Sequence, residues 1–265
     1  MELGIKNKVF IITGGAEGIG RAIAKAIVSE GGISFIAGLA REAGESLIQE
    51  IRERRGAAHF KFQRLGSAES CKEIVEDCIK TYGRIDGLVN NAGGNDGISL
   101  EQGSPDAWIR SLENNLHHYY YMAHYCLDEL KKNKGVILNL SSKTAFTGQG
   151  GTSPYAAAKG AQLALTREWA VELLKYGIRV NSIVPAEVMT AMYKRWIESF
   201  DEPDRKIAEI ESRIPLENRM TKAEEIADTA LFLLSSRSSH ITGQHIFVDG
   251  GYAHLDRALS VLKDQ

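Results

Sequence analysis

Short runs of apolar residues alternate with stretches whose apolar positions recur every three to four residues, from one end of the chain to the other. Val9, Phe10, Ile11 and Ile12 are apolar at every position, as a strand buried on both faces requires. Residues 19–29 then carry the helical period. The same pair of signals predicts strands at 33–37, 60–65, 85–89, 135–141, 178–184 and 244–248. Between them it predicts helices at 43–54, 67–82, 105–131, 155–175 and 222–235. Strands that alternate with helices pair in parallel through right-handed crossovers. The pattern therefore predicts a doubly wound, Rossmann-like α/β sheet in one domain over residues 1–265, with ligands at the carboxyl ends of its strands. Residues 186–215 interrupt the alternation after a strand end. Their mixed charged and aromatic character (Tyr193, Trp196, Phe200) suits a lid over a substrate site.

Composition narrows the classes. A net charge of −2 gives no electrostatic footprint for nucleic acid or an anionic membrane. Arg52, Arg54 and Arg55 cluster where a predicted helix ends, and complement its dipole there. No apolar run approaches the roughly 20 residues that span a bilayer, and residues 1–8 offer no apolar core for a secretion signal. Cys71, Cys78 and Cys126 show no CxxC spacing, so neither a disulfide framework nor a metal site is expected. Cys71 and Cys78 fall on one side of a predicted helix and read as packing. A reducing cytoplasm suits this set.

The first strand runs directly into Thr13-Gly14-Gly15-Ala16-Glu17-Gly18-Ile19-Gly20, which opens the first helix. Glycines here permit a tight turn and let backbone N–H groups at a helix N-terminus approach a pyrophosphate. The TGxxxGxG spacing resembles that of the short-chain dehydrogenase/reductase family. Asn90-Asn91-Ala92-Gly93 after the fourth strand and Val248-Asp249-Gly250-Gly251 near the end extend the resemblance over nearly the whole chain. It implies a nicotinamide dinucleotide held by Gly14, Glu17, Gly18, Ile19, Gly20, Leu39, Arg41, Arg64, Leu65, Asn91, Ala92, Gly93, Tyr155, Lys159, Pro185, Val188 and Thr190, with Thr190 and the backbone of Val188 at the carboxamide. Three positions depart from the family. Gly38 stands where NAD-preferring relatives carry an acid, and Glu17 where NADP-preferring ones often carry a base. A carboxylate at Glu17 repels a 2′-phosphate and favours NAD, whereas Arg41 offers NADP a partner. Arg64 replaces an acid that meets the adenine edge; it stacks on the ring, or the contact is missing. Ala186 in the PGxxxT segment implies a slightly different turn.

Ser142, Tyr155 and Lys159 form the most specific constellation. Tyr155 and Lys159 are four apart on one helix and so share a face, and Ser142 ends a strand. A free phenol titrates near pH 10; a neighbouring ammonium and the cofactor's cationic ring favour the phenolate and lower that value. Ser142 then hydrogen-bonds the substrate oxygen. The resemblance adds Asn115 as a fourth residue, which bends its helix and holds a water linking the lysine to solvent; Asn114 is the neighbouring alternative, but Leu116 favours Asn115.

The substrate candidates are polar: Asn95, His118, Ser142, Gln149, Tyr155, Glu187 and the lid's Trp196. That set suits a small hydroxylated molecule better than a steroid or acyl chain. Residues 118–127, 141–153 and 185–190 resemble the bacterial L-fucose dehydrogenase branch. The resemblance implies hydride transfer from C1 of L-fucose or a related aldose, giving the lactone, with Tyr155 taking the hydroxyl proton. The alternative is a carbonyl or 3-oxoacyl reductase, for which Lys194, Arg195, Arg205 and Lys206 would greet an acyl carrier. A cofactor-binding regulator without turnover would be expected to lack Tyr155 or Lys159. The surplus apolar residues of helices 105–131 and 155–175, with the family's habit of pairing them across a two-fold axis, imply a homotetramer or homodimer. Residues 252–265 are placed to reach a neighbouring subunit's site.

Overall fold

A computed structural model describes residues 2–255. Seven parallel strands form one sheet in the order β3-β2-β1-β4-β5-β6-β7. They are β1 (Val9–Thr13), β2 (Ile33–Gly38), β3 (Ala57–Phe62), β4 (Gly87–Asn90), β5 (Val136–Leu140), β6 (Arg179–Pro185) and β7 (His245–Val248). Every residue of β1, β4 and β5 is buried, which is why these runs lack an alternating pattern. The chain winds outward from β1 to β3, returns to β4 beside β1, and then winds the other way. The carboxyl ends of β1 and β4 thus flank the crevice where the winding reverses.

Helices α1 (Gly18–Ser29), α2 (Arg41–Glu53) and α9 (Ala223–Leu234) cover one face of the sheet with Ile23, Ile27, Leu47, Ile51, Ile226 and Leu233. On the other face lie α3 (Ala68–Tyr82), α5 (His118–Asn133) and α6 (Ser153–Leu173), packed through Cys71, Cys78, Tyr119, Met122, Cys126 and Trp169. The three cysteines are buried and unpaired. Among the described residues, no helix is long and apolar enough to cross a membrane.

Three elements differ from the sequence pattern. The third strand begins three residues early, at Ala57 rather than 60. It is a sheet edge whose extent is set by pairing with β2, Ile33 opposite Ala57 through Gly38 opposite Phe62, and not by an apolar run. The long helix expected at 105–131 is α4 (Pro105–Leu112), a π turn (Glu113–His117) and then α5. Segment 186–215 contains two helices, α7 (Ala191–Ile197) and α8 (Pro203–Glu211). They enclose a small core of their own from Ile197, Ile210, Ile214 and Met220, distinct from the two faces of the sheet. Of the C-terminal stretch 252–265, residues 256–265 lie outside the described residues.

Candidate active site

The turn after β1 is shaped by close approach. Gly14 and Gly18 hold φ of 65° and 54°, a region that L side chains avoid. A Cβ at Gly14 would lie 2.9 Å from the Cα of Ala92, and one at Gly20 would lie 2.5 Å from the Gly14 carbonyl and 2.6 Å from Asn91 Nδ2. Asn91 closes the turn: its Nδ2 donates to the carbonyls of Thr13 (2.9 Å) and Gly14 (3.1 Å), while Thr13 Oγ1 accepts from the backbones of Asn91 and Ala92. Glu17 precedes α1 in an extended conformation and makes no capping bond, and Ile19 packs against the core. Thr190 comes from the far side: its Cγ2 would stand 3.0 Å from a Cβ on Gly18. Thr190 N donates to the Val188 carbonyl, and Pro185 ends β6 opposite Val248.

At the outer end of this crevice, Leu39 is exposed at the end of β2 and Leu65 packs on the core beneath α3. The Arg41 guanidinium lies 4.0 Å over the Phe62 ring and 3.7 Å from Glu45. Arg64 Nη2 donates to Asn114 Oδ1 at 3.2 Å. Gly93 and Gly94 pass beside Asn115. A Cβ on Gly93 would meet Asn115 Oδ1 at 2.7 Å, and the same oxygen accepts from Gly94 N at 2.8 Å.

The Ser142 side chain lies near enough to the Tyr155 hydroxyl to favour the phenolate, its Oγ accepting from Thr144 N at 3.3 Å, and the Lys159 ammonium lies 5.5 Å from the Tyr155 ring. Lys159 is 3% exposed and donates to the Leu140 carbonyl (2.7 Å), Gln162 Oε1 (3.2 Å) and Tyr119 Oη (3.5 Å). All three acceptors are neutral. Burial therefore pulls the lysine pKa down to about 7. Burial opposes the lowering that the ammonium and the cofactor's cationic ring are expected to bring to the phenol. It pushes Tyr155 up to about 12, against the influence of Ser142, and the Asp96 carboxylate adds to the rise. Desolvation acts on both members of the pair, and the lysine gives up part of the charge that was to stabilise the phenolate. Asp96 escaped the motif reading because only folding of the loop after β4 turns it toward Tyr155.

Asn115 takes its place within the π turn, its Nδ2 bonded to the Ser111 carbonyl at 3.1 Å. Its own carbonyl accepts from Gln162 Nε2 at 2.7 Å. A side-chain amide, that of Gln162, thus bridges Asn115 and Lys159. Gln162 was absent from the motif reading: it lies three residues past Lys159, on the same helical face.

The substrate candidates divide. His118 is a correction: it is 1% exposed, its Nε2 pairs with the Asn114 carbonyl, and burial pulls its pKa to about 4, so a ligand in the cleft does not touch it. Glu187 has both oxygens engaged inside the protein, Oε1 by Lys143 and Oε2 by Tyr193 Oη at 2.8 Å. It joins Lys143, beside Ser142, to Tyr193 on α7. Lys143, next to Ser142, is buried, and its ammonium also lies 4.1 Å from the Tyr252 ring. Asn95 and Gln149 are exposed on loops, and Asn95 Oδ1 accepts from Gly97 N. Trp196 is exposed on α7 and packs edge-on against Tyr193 and Phe200. Among the described residues, no cluster of His, Cys, Asp and Glu is gathered that would hold a metal ion.

Residues 14–253 match the family model described as Enoyl-(Acyl carrier protein) reductase. The 3-oxoacyl-[acyl-carrier-protein] reductase FabG of Thermotoga maritima is 35% identical over 93% of this chain and 98% of its own length. The chain belongs to the short-chain dehydrogenase/reductase family. L-fucose dehydrogenase of Oryctolagus cuniculus is 34% identical over 92% of this chain and 84% of that protein. The crystal structure of Cj0485 dehydrogenase superposes with a TM-score of 0.92 at 49% identity, covering 98% of this chain and 99% of that one. The short-chain dehydrogenase is accordingly an oxidoreductase of CH–OH groups that uses a nicotinamide cofactor. Its residues fit that group: the strip along Gly14, Gly18 and Gly93 is a cradle that side chains would fill.

Two outcomes are expected. Gly20→Ala pushes a methyl between the Gly14 carbonyl and Asn91. It should weaken cofactor binding at least tenfold in a fluorescence titration and cost about 1–3 kcal/mol of stability; unchanged affinity would show that the turn does not carry the cofactor. The second concerns Lys159, whose folded pKa (about 7) lies below its ordinary 10.5. Between those values the unfolded chain binds more protons, so this group's contribution to stability rises with pH and is lost as pH falls toward 7. Lys159→Met should therefore compare most favourably with wild type at pH 6, and progressively less so by pH 9.5, in urea unfolding. A difference independent of pH contradicts the assignment.

Proposed function

We propose that the enzyme oxidises the C1 hydroxyl of an aldose, L-fucose or a close stereochemical relative, to the lactone, with NAD preferred over NADP. The observation that carries this reading is the polar floor beneath the lid. Ser142 leads into a buried Lys143 that pairs with Glu187, and Glu187 in turn holds Tyr193 of the lid. A floor of this kind suits a hydroxylated ring, whereas an acyl chain calls for apolar walls. Similarity to an L-fucose dehydrogenase over 92% of the chain supports the same class. Glu17 beside the glycine turn and the seat of Arg41 on Phe62 both favour NAD.

In this reading Asn115, Ser142, Tyr155 and Lys159 are the catalytic set. When bound, the nicotinamide supplies the acceptor for the hydride leaving C1 and, being oxidised, a positive charge beside the phenol. Ser142 holds the C1 oxygen by a hydrogen bond. Tyr155, as phenolate, takes the hydroxyl proton as the carbonyl forms. Lys159 favours that phenolate by its charge, and Asn115 fixes both the π turn and the Gly93-Gly94 strip. Asn95, Gln149 and Trp196 line the approach from loop and lid. Reduction of a 3-oxoacyl or other carbonyl substrate is the second reading. Identity to FabG and the exposed Met189 and Met192 favour it. Against an acyl-carrier partner, Lys194, Arg205 and Lys206 are paired along their own helices with Glu198, Glu202 and Glu209.

We further infer a homodimer or homotetramer in the cytoplasm. Tyr120, Val171 and Leu174 are 53%, 70% and 59% exposed on α5 and at the end of α6, and an apolar groove lined by Leu116, Tyr121, Ala164 and Leu165 runs between these helices. Free, buried cysteines suit a reducing compartment.

Initial rates with L-fucose, D-arabinose, L-galactose, L-rhamnose and a 3-oxoacyl ester, with each nicotinamide cofactor in its oxidised or reduced form, test the function. One aldose series should reduce NAD, and Tyr155→Phe should lower kcat by at least a hundredfold. Turnover confined to the 3-oxoacyl ester would transfer the assignment to the second reading. For assembly, Val171→Glu combined with Tyr120→Glu should halve the mass found by light scattering. An unaltered mass would exclude this face.

A further inference from the structure

The side chain of Gln162 is fully buried, an expense for an amide unless each of its polar atoms is bonded. Both are. Oε1 accepts from Lys159 Nζ at 3.2 Å, and Nε2 donates to the Asn115 carbonyl at 2.7 Å. This fixes which way the amide points, because a flipped amide would set NH2 against an ammonium and oxygen against a carbonyl. The Tyr119 hydroxyl, close to Gln162, donates to the same Leu140 carbonyl that Lys159 uses. The π turn completes the arrangement by directing the Asn115 carbonyl at a side chain.

We propose that Gln162 is the positioning residue of Lys159. Its amide spans from the ammonium to the Asn115 carbonyl and fixes where the lysine stands relative to Tyr155. The proposal rests on the catalytic role given to Lys159 above. An amide accepts from the lysine and donates to the carbonyl but does not exchange protons at working pH. Gln162 therefore orients the ammonium without taking its proton. Titratable groups face Lys159 from two elements: Tyr155 on α6, and Tyr119 and His118 on α5. Burial raises the phenols of Tyr119 and Tyr155 and lowers the imidazole of His118, so that each resists becoming charged. The uncharged amide thus bears directly on the lysine's ionisation.

Gln162→Leu removes both bonds at similar volume, and Gln162→Glu keeps an acceptor for the lysine while adding a charge. Each is paired with the same variant carrying Lys159→Met, and urea unfolding is followed from pH 6 to 9.5. The difference within each pair isolates the lysine's titration without any substrate. Its midpoint should move to lower pH for Leu, which loses an acceptor, and to higher pH for Glu, which adds an opposite charge. With whichever substrate the wild type turns over, Gln162→Leu should lower kcat about tenfold while KM stays within about twofold. Gln162→Glu should keep more of kcat than Leu does. Midpoints that stay put in both variants, or that move while kcat does not, overturn the proposal. If the wild type oxidises no aldose, the sugar assignment fails on its own, and the midpoints still decide the role of Gln162.

Discussion

Lys159 carries a cation into the interior and meets neutral oxygens there: a strand carbonyl, a phenol and an amide. Burying an ammonium without a carboxylate costs free energy, and the lowered pKa is that cost expressed as protonation. The acceptors come from three different elements, which are also joined by buried amide and hydroxyl bonds from Asn90, Asn139 and Ser141. Leu140 ends β5, Tyr119 leaves α5 to reach it, and Gln162 turns inward from α6. The meeting of sheet and helices on this face is built round the lysine, and its position fixes how Tyr155 is presented.

The second half of the site is joined to the first through Asn115. Its side-chain oxygen holds Gly94, and its carbonyl holds Gln162. Asn115 therefore links the dinucleotide crevice to the lysine. The carbonyl belongs to the π turn, which presents it to Gln162, and turns of this kind recur at functional sites. Gly93 belongs to the same argument, because a side chain there would displace the asparagine oxygen.

Much of this was legible beforehand. Buried strands announce themselves as unbroken apolar runs, and the glycine turn, the Tyr-Lys spacing and Ser142 depend on local geometry that a sequence records directly. What stayed hidden depends on several elements at once. The edge strand β3 takes its start from β2, so no run of its own marks residue 57. The burial that opposes a lowered phenol pKa stayed hidden because spacing reveals a neighbouring charge and not the desolvation that acts on both partners. His118 was misjudged because one turn past Asn115 is also the turn that rotates into the core. Gln162, three residues beyond Lys159, was visible as a neighbour, but its function appears only once α6 meets the π turn.

The pair between Lys143 and Glu187 makes the corresponding point for the substrate side. A buried ion pair returns little net stability after desolvation, and an apolar pair of like volume would often serve as well. Its geometry is what distinguishes it. The pair ties the residue after Ser142 to the residue that opens the lid segment, and Tyr193 carries the tie onto α7. Breaking either member leaves a charge without its partner beneath the lid, a far larger disturbance than the loss of one surface contact. Segment 186–215 is thereby tied to the turn after β5 that bears Ser142, and that turn is tied to α6 by the bond from Ser141 Oγ to the Lys159 carbonyl. The polar groups of Lys143, Glu187 and Tyr193 are fixed by one another before any ligand arrives, so binding has few of these side chains left to order.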